Sequence, residues 1–219
     1  MNDSELVEET IVFVKKTLQG AEGGHDWFHI QRVFNNTLQI AKNEKVDVLV
    51  VSLAALLHDI ADAKFHNGDE SIGLRMAHDF LSSLNVNKKI VQHVIQIIKN
   101  MSFKNSLDKN KSGFYSKELE VVQDADRLDA IGAIGIARAF NYGGFKNREL
   151  YNPDIAPNLK MTKEEYKKSS APTINHFYEK LLLLKDKMNT ETGKQIAEQR
   201  HGFMLGYLEQ FYGEWNGEL

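Results

Sequence analysis

The sequence has no cysteine among its 219 residues, which excludes disulfide bonds and thiolate metal sites. Its three prolines all lie between positions 153 and 172, so the long chain before them has no proline to break a helix. The net charge of −3 does not favour a scaffold that holds nucleic acid by bulk charge. The acidic N-terminus lacks the features of a signal peptide. We therefore expect a cytoplasmic protein without a nucleic-acid partner.

Long hydrophobic runs are also absent. The longest nearly apolar stretch, Val48 to Leu57, is too short to span a bilayer, so we expect no membrane partner. Hydrophobic residues make up 42% of the chain and charged residues 26%, which is typical of a globular domain. The length predicts one fairly large domain that covers residues 1–219.

Apolar residues recur at helical spacing along the chain, and no stretch alternates convincingly with the period of two that marks a strand. The sequence therefore predicts an all-α fold. Polar stretches at 102–115 and 143–161 are predicted to be loops. The predicted helices cover about residues 7–18, 26–43, 48–62, 70–84, 87–98, 116–142, a segment from 162 that is interrupted at Pro172, a further helix through 181–184, and 192–212.

The stretch from Val48 to Lys64 is apolar on nearly every side at first, which is typical of a helix in the middle of a protein. It ends with His58, Asp59 and Asp62, which lie within little more than one turn. Buried polar side chains need partners, because desolvation costs about 2 to 7 kcal/mol for each unpaired group. A divalent cation is one partner that suits a histidine and two carboxylates.

Further histidines and aspartates lie on other predicted helices. His25 and His29 share a face because they are four residues apart. Asp124 and Asp126 point about 200° apart on a helix, so the two cannot enter one site. Asp129 has two possible roles. It either supports the metal ligands from behind Asp126 or forms a salt bridge on the helix. His93 lies among apolar residues, and is either an extra ligand or a hydrogen-bonded core histidine.

Three segments resemble the HD-domain metal-dependent phosphohydrolases. They read HDWFHIQRV, LAALLHDIAD and VVQDADRLDAIGAIGIAR, occur in the order of that family, and are most similar to its small stand-alone bacterial members. The resemblance covers about residues 20–140. It implies an HD-type helical bundle around the metal site, with a helical extension at about 162–215. It also implies that one divalent metal is held by His29, His58, Asp59 and Asp126.

The implied ligand set of two imidazoles and two carboxylates suits an octahedral ion with water-filled positions. Mn²⁺ is favoured, and Mg²⁺, Co²⁺, Ni²⁺ or Fe²⁺ are alternatives. Such an ion acidifies its bound water and polarises a phosphoryl oxygen. Asp62 occupies the place where HD hydrolases often carry an acidic residue, so we expect it to orient or deprotonate the attacking water. Lys64 is expected to take part in catalysis together with Asp62.

Phosphate substrates require positive charge near the metal. We rank Lys64 first among the phosphate contacts, and the other candidates are His66, Lys104 and Arg138. The resemblance implies a nucleotide substrate, with a nucleoside triphosphate cleaved to the monophosphate and pyrophosphate. A nucleotide monophosphatase, a phosphodiesterase or a non-catalytic metal-binding signalling module are the alternatives. We expect a monomer or a homodimer.

Overall fold

The computed structural model describes residues 1–20, 26–61, 69, 71–101, 114–162, 165 and 169–219. All regular structure in these ranges is helical, which confirms the predicted all-α class. Two short 3₁₀ turns, Leu181–Leu183 and Lys185–Lys187, separate the last two α-helices. The α-helices are α1 (Asp3–Thr17), α2 (Trp27–Ala41), α3 (Val48–Leu57), α4 (Ser71–Ser83), α5 (Lys88–Asn100), α6 (Lys117–Asp129), α7 (Gly132–Phe145), α8 (Thr173–Glu179) and α9 (Glu191–Asn216).

The chain divides into two compact units, residues 1–126 and 127–219. Helix α6 begins in the first unit and ends in the second. The organisation as one domain over 1–219, with a metal-site core at about 20–140 and an extension at about 162–215, stays a prediction.

Helix α3 is the centre of the first unit. Every residue from Val50 to Leu57 is buried, as its apolar composition on all sides predicts. Helices α1, α2 and α5 pack against it, and α4 packs against α5. The Asp47 side chain begins α3 by accepting hydrogen bonds from the backbone N–H groups of Leu49 and Val50. This cap satisfies donors that have no partner within the helix.

Helix α3 is shorter than predicted. It ends at Leu57, and His58 is its C-cap residue. Residues 58–61 form a turn, so His58 and Asp59 follow the end of the helix instead of lying within it. Among the described residues, no helix has both the length and the hydropathy needed to cross a bilayer.

The second unit is built from α7, α8 and α9, with α7 packing against the other two. Phe177, Ile174 and Met204 are completely buried in it. The rings of Phe177 and Tyr207 stack with their centroids 5.9 Å apart. Pro172 immediately precedes α8, in agreement with the predicted interruption at this residue.

The prediction of one long helix over 116–142 is wrong. The chain forms two helices here, joined by Ala130 and Ile131. Ile131 is extended, with φ −128° and ψ 166°, and Gly132 has a φ of +75°. A left-handed residue interrupts a right-handed helix, and glycine adopts this conformation at little cost. Apolar residues continue at helical spacing on both sides of the break, so periodicity did not reveal it.

Candidate metal centre

His29 lies in the first turn of α2, where the N-cap residue Asp26 holds the backbone. The Asp26 carboxylate accepts a hydrogen bond of 3.0 Å from the His29 N–H group. An aspartate at this position stabilises the helix start in two ways. It accepts hydrogen bonds from N–H groups that have no partner within the helix, and its negative charge interacts favourably with the helix dipole. The His29 residue is only 3% exposed, so the helix start places this imidazole inside the first unit.

His58 follows the last residue of α3, and its imidazole is oriented by the helix that it ends. The ring Nδ1 lies 2.8 Å from the Ala55 carbonyl oxygen. Because a carbonyl only accepts, Nδ1 carries a proton, and in the neutral ring Nε2 then carries the lone pair. A neutral imidazole with this tautomer presents Nε2 to a cation, and the bond to the carbonyl holds the ring in place.

Asp126 on α6 brings a carboxylate oxygen to these two rings. Its Oδ1 lies 3.6 Å from His29 Nε2 and 3.9 Å from His58 Nε2. The two imidazole rings meet edge to face with their centroids 5.5 Å apart. The Asp126 side chain is 43% exposed, whereas the imidazoles are 4% and 6% exposed. The group is therefore enclosed on the histidine side and accessible on the carboxylate side.

The donor set fits a divalent cation in both size and chemistry. One ligand atom from each of His29, His58 and Asp126 lies within 4.8 Å of the others. Ligands about 2.1 Å from an octahedral ion are about 3.0 Å apart when adjacent and about 4.2 Å apart when opposite. The distances of 3.6 and 3.9 Å fall between these values. Two neutral nitrogens and one carboxylate oxygen suit first-row divalent ions.

Comparison with known proteins identifies the family. The sequence profile of the HD domain matches residues 27–131. The crystal structure of an HD-superfamily hydrolase from Bacillus thuringiensis is 44% identical in sequence, with a TM-score of 0.79 over 98% of this chain and 99% of that chain. This chain belongs to the HD superfamily. The predicted family is thereby confirmed, and the chain is an HD-superfamily hydrolase, as predicted.

Another relative of this HD hydrolase is the protein YpgQ of Bacillus subtilis (strain 168). It is 38% identical over 210 residues, which cover 96% of this chain and 94% of YpgQ. The crystal structure of YpgQ in complex with ADP matches with a TM-score of 0.77 at 35% identity, over 98% of this chain and 97% of that chain. The similarity to small stand-alone HD proteins therefore extends far beyond the signature residues.

The fourth ligand implied by the HD signature is Asp59. It lies in the turn after α3 and is half-buried, but its oxygens do not belong to the group of ligand atoms within 4.8 Å of one another. Its role as a ligand stays a prediction. Four other predicted site residues, Asp62, Lys64, His66 and Lys104, lie outside the described residues.

Arg138, the remaining predicted phosphate contact, belongs to the second unit and is engaged there. Its guanidinium donates to the Asp129 carboxylate and lies 3.4 Å from the Asp129 carbonyl oxygen. The Asp129 side chain is 1% exposed, so Arg138 neutralises a buried charge. Of the two interpretations of Asp129, this pair favours the salt bridge. It does not favour Arg138 as a phosphate contact, which stays a prediction.

His93 has partners other than the metal group. Its Nε2 lies 3.1 Å from Ser116 Oγ and 3.5 Å from a carboxylate oxygen of Glu118. Its ring also meets Phe114 edge to face. Within the described ranges, the group of potential ligands does not include His93. Of the two interpretations, the structure favours the hydrogen-bonded histidine.

One residue beside the site was missed by the sequence analysis. Asn36 on α2 is 7% exposed, and its side-chain amide donates a hydrogen bond of 3.1 Å to the Ala125 carbonyl oxygen. A signal was present, because Asn36 lies seven residues after His29 and therefore on the same helix face. An amide on a face that is otherwise rich in apolar residues requires a buried partner.

Proposed function

We propose that this HD-superfamily hydrolase is a metal-dependent phosphohydrolase that converts nucleoside triphosphates into monophosphates and pyrophosphate. The observation that carries the proposal is the meeting of His29, His58 and Asp126 ligand atoms within 4.8 Å. A carboxylate accompanied by two buried imidazoles is a ligand set for a divalent ion. Hydrolysis of phosphate esters and anhydrides is a reaction that such ions promote.

The proposed site holds one divalent ion through His29, His58, Asp59 and Asp126. The combination of imidazole and carboxylate ligands suits Mn²⁺, Mg²⁺, Co²⁺, Ni²⁺ or Fe²⁺, and of these we favour Mn²⁺. When bound, the ion supplies an acidified water and a Lewis acid for a phosphoryl oxygen. His58 is held ready for this role, since its Nδ1–H bond to Ala55 directs Nε2 to the site.

The protein residues would share the remaining tasks. Asp126 is half-exposed, which supports entry of a phosphate group from its side. Asp62 would orient the attacking water or accept its proton. Lys64 would bind the phosphate and balance its negative charge. The roles of Asp62 and Lys64 come from the resemblance to HD hydrolases.

A nucleotide substrate is supported by the crystal structure of YpgQ in complex with ADP. ADP contains the anhydride bond between the α and β phosphorus atoms, which is the bond cleaved in the proposed reaction. Lys64, His66, Lys104 and Arg138 are the proposed phosphate contacts, although Arg138 would have to share its guanidinium with Asp129. We propose a cytoplasmic monomer or homodimer with a small-molecule substrate.

Product analysis tests this proposal. The purified protein is incubated with ATP and with each deoxynucleoside triphosphate, with Mn²⁺ or Mg²⁺, and the products are followed by phosphorus NMR. Pyrophosphate and a monophosphate in equal amounts are expected. Chelation by EDTA should stop the reaction, and added Mn²⁺ should restore it. Asp59→Ala should lower both the bound metal and the turnover, whereas unchanged metal content would remove Asp59 from the ligand set.

The other outcomes identify the alternatives. Release of orthophosphate from monophosphates would replace the proposal with a nucleotide phosphatase. Cleavage of diesters alone would make the protein a phosphodiesterase. Tight Mn²⁺ binding without turnover on any of these substrates would indicate a non-catalytic module. A protein that binds no divalent ion would contradict the metal site itself.

A further inference from the structure

We propose that Asn36 is a positioning residue for the metal centre. Its side chain holds Asp126 at the correct place opposite His29. This inference rests on the proposed function, because it assigns a role within the same metal site. It concerns the first unit alone, in which α2 carries His29 and Asn36 while α6 carries Ala125 and Asp126.

The first step is the placement of Asn36 on α2. Seven residues separate it from His29, which is close to two complete helical turns. The two side chains therefore point to the same side of α2, and both are buried. Their neighbours on this helix include Val33 and Ile40, which are completely buried. The hydrophobic effect is non-directional, so a directional hydrogen bond adds to what side-chain packing contributes in setting the position of one helix along another.

The second step is the bond from Asn36 to α6. The Asn36 Nδ2–H donates to the Ala125 carbonyl oxygen over 3.1 Å, and the contact is buried. Ala125 immediately precedes Asp126, and it is 0% exposed. A hydrogen bond is directional and weakens steeply when its geometry is lost. The amide therefore connects the α2 face that carries His29 to the backbone next to Asp126.

The third step is the precision that metal binding requires. The His29 Nε2 to Asp126 Oδ1 distance is 3.6 Å, which lies between the distances for adjacent and opposite ligands of an octahedral ion, so the two side chains need only small movements to bind one ion. A site tolerates ligand displacements of only about 0.5 Å before its geometry is lost. A small shift of α6 along α2 would exceed this tolerance. Metal affinity should therefore depend on Asn36 more strongly than folding does.

The test compares Asn36→Leu with Thr37→Val. Leucine is similar in shape to asparagine but cannot donate to Ala125. Thr37 is the adjacent buried residue, and its hydroxyl has no hydrogen-bond partner among the described residues, so Thr37→Val is a matched control. Mn²⁺ affinity is measured by calorimetry on the metal-free proteins, and Co²⁺ absorption spectra report the coordination geometry. Thermal unfolding without metal shows whether each variant is folded.

We expect Asn36→Leu to bind Mn²⁺ about tenfold more weakly and to change the Co²⁺ spectrum. Thr37→Val should match the wild type in both. If Asn36→Leu does not fold, Asn36→Ser replaces it, since serine is smaller and too short to reach Ala125. A folded Asn36 variant with wild-type Mn²⁺ affinity and an unchanged Co²⁺ spectrum would overturn this inference alone. Wild-type protein that bound no Mn²⁺ would overturn the proposed function, and this inference with it.

Discussion

At the scale of single residues, the chain contains two His-Asp dipeptides in different environments. His58, of the first dipeptide, is 6% exposed in its side chain and is oriented by the Ala55 carbonyl. His78 and Asp79 are 58% and 81% exposed and contact each other on the surface of α4. The same two residue types therefore have different chemistry, because burial and a fixed tautomer make one imidazole a suitable metal ligand.

The two dipeptides provide a matched test of the metal centre. His58→Ala should lower kcat/KM for the nucleotide substrate by about 100-fold or more, because a ligand is lost. The metal content measured by atomic spectrometry should fall with it. His78→Ala should change neither quantity, since the imidazole is at the surface. Equal effects of the two substitutions would contradict the assignment of His58.

Arg138 can be tested by the stability of the protein. Arg138→Met should lower the free energy of unfolding by about 3 kcal/mol, because it removes a guanidinium that neutralises the buried Asp129 carboxylate. Arg200 is also near enough to feel the charge of Asp129, so the loss should stay near the lower end for a buried pair. Urea unfolding monitored by circular dichroism gives the value.

A surface pair is the control for Arg138. Arg75 lies 3.5 Å from Asp69, and both side chains are largely exposed, at 67% and 46%. Arg75→Met should therefore cost less than about 1 kcal/mol. If Arg138→Met instead left stability unchanged and raised KM, Arg138 would be a phosphate contact, as the sequence analysis predicted.

At the scale of secondary-structure elements, the break between α6 and α7 depends on close approaches to glycine. A Cβ on Gly135 would overlap the carbonyl oxygen of Ala130 in the connecting segment. A Cβ on Gly132 would lie 3.0 Å from Arg200 Cγ. Glycine at both positions therefore allows α7 to begin immediately after α6 ends.

Gly135→Ala should destabilise the protein by about 2 kcal/mol, because the backbone must move to relieve the overlap. Gly202 on α9 is the control, since a Cβ there meets no atom within 4 Å. Gly202→Ala should stabilise the protein by about 0.5 to 1 kcal/mol through the higher helix propensity of alanine. Thermal and urea unfolding would measure both changes, and effects of the same sign would contradict this account.

Helix boundaries were predictable where a local signal marks them. Asp47 and Asn87 accept backbone hydrogen bonds at the starts of α3 and α5, as their capping preference indicates. Pro172 marks the start of α8. The break after Asp129 has no such marker, because glycine in an apolar helical pattern is compatible with either an interruption or close packing.

At the scale of the whole molecule, acid should destabilise the fold through His176, which is largely but not completely buried. Burial, helped by the positive charges of Lys180 and Arg148, lowers the pKa of His176 to about 4. Between this value and the ordinary pKa of about 6.5, the unfolded chain binds a proton that the folded protein does not. Stability should therefore fall as the pH decreases below about 6.5.

From pH 7.5 to pH 5 this histidine should remove about 2 kcal/mol from the free energy of unfolding. In His176→Gln, the free energy of unfolding should change less between pH 7.5 and pH 5, by a similar amount. Urea unfolding measures this change, with EDTA present so that metal release does not contribute. His78→Gln is the control, because that side chain is exposed and should leave the pH dependence unchanged. A wild-type profile in His176→Gln would exclude His176 as the source.

The sequence by itself determined the helical class, the central place of α3 and the HD signature. These follow from local rules, because an element that is apolar on all sides must be buried and short motifs retain their order. Tertiary structure alone decided that Arg138 pairs with Asp129, that α6 ends before Gly132, and that Asn36 reaches the backbone beside Asp126. Such contacts join residues that are distant in sequence or depend on clearances of a few tenths of an ångström. Residue periodicity contains no information on such distant contacts or on such clearances, since it records which face of a helix is buried and not what lies against that face.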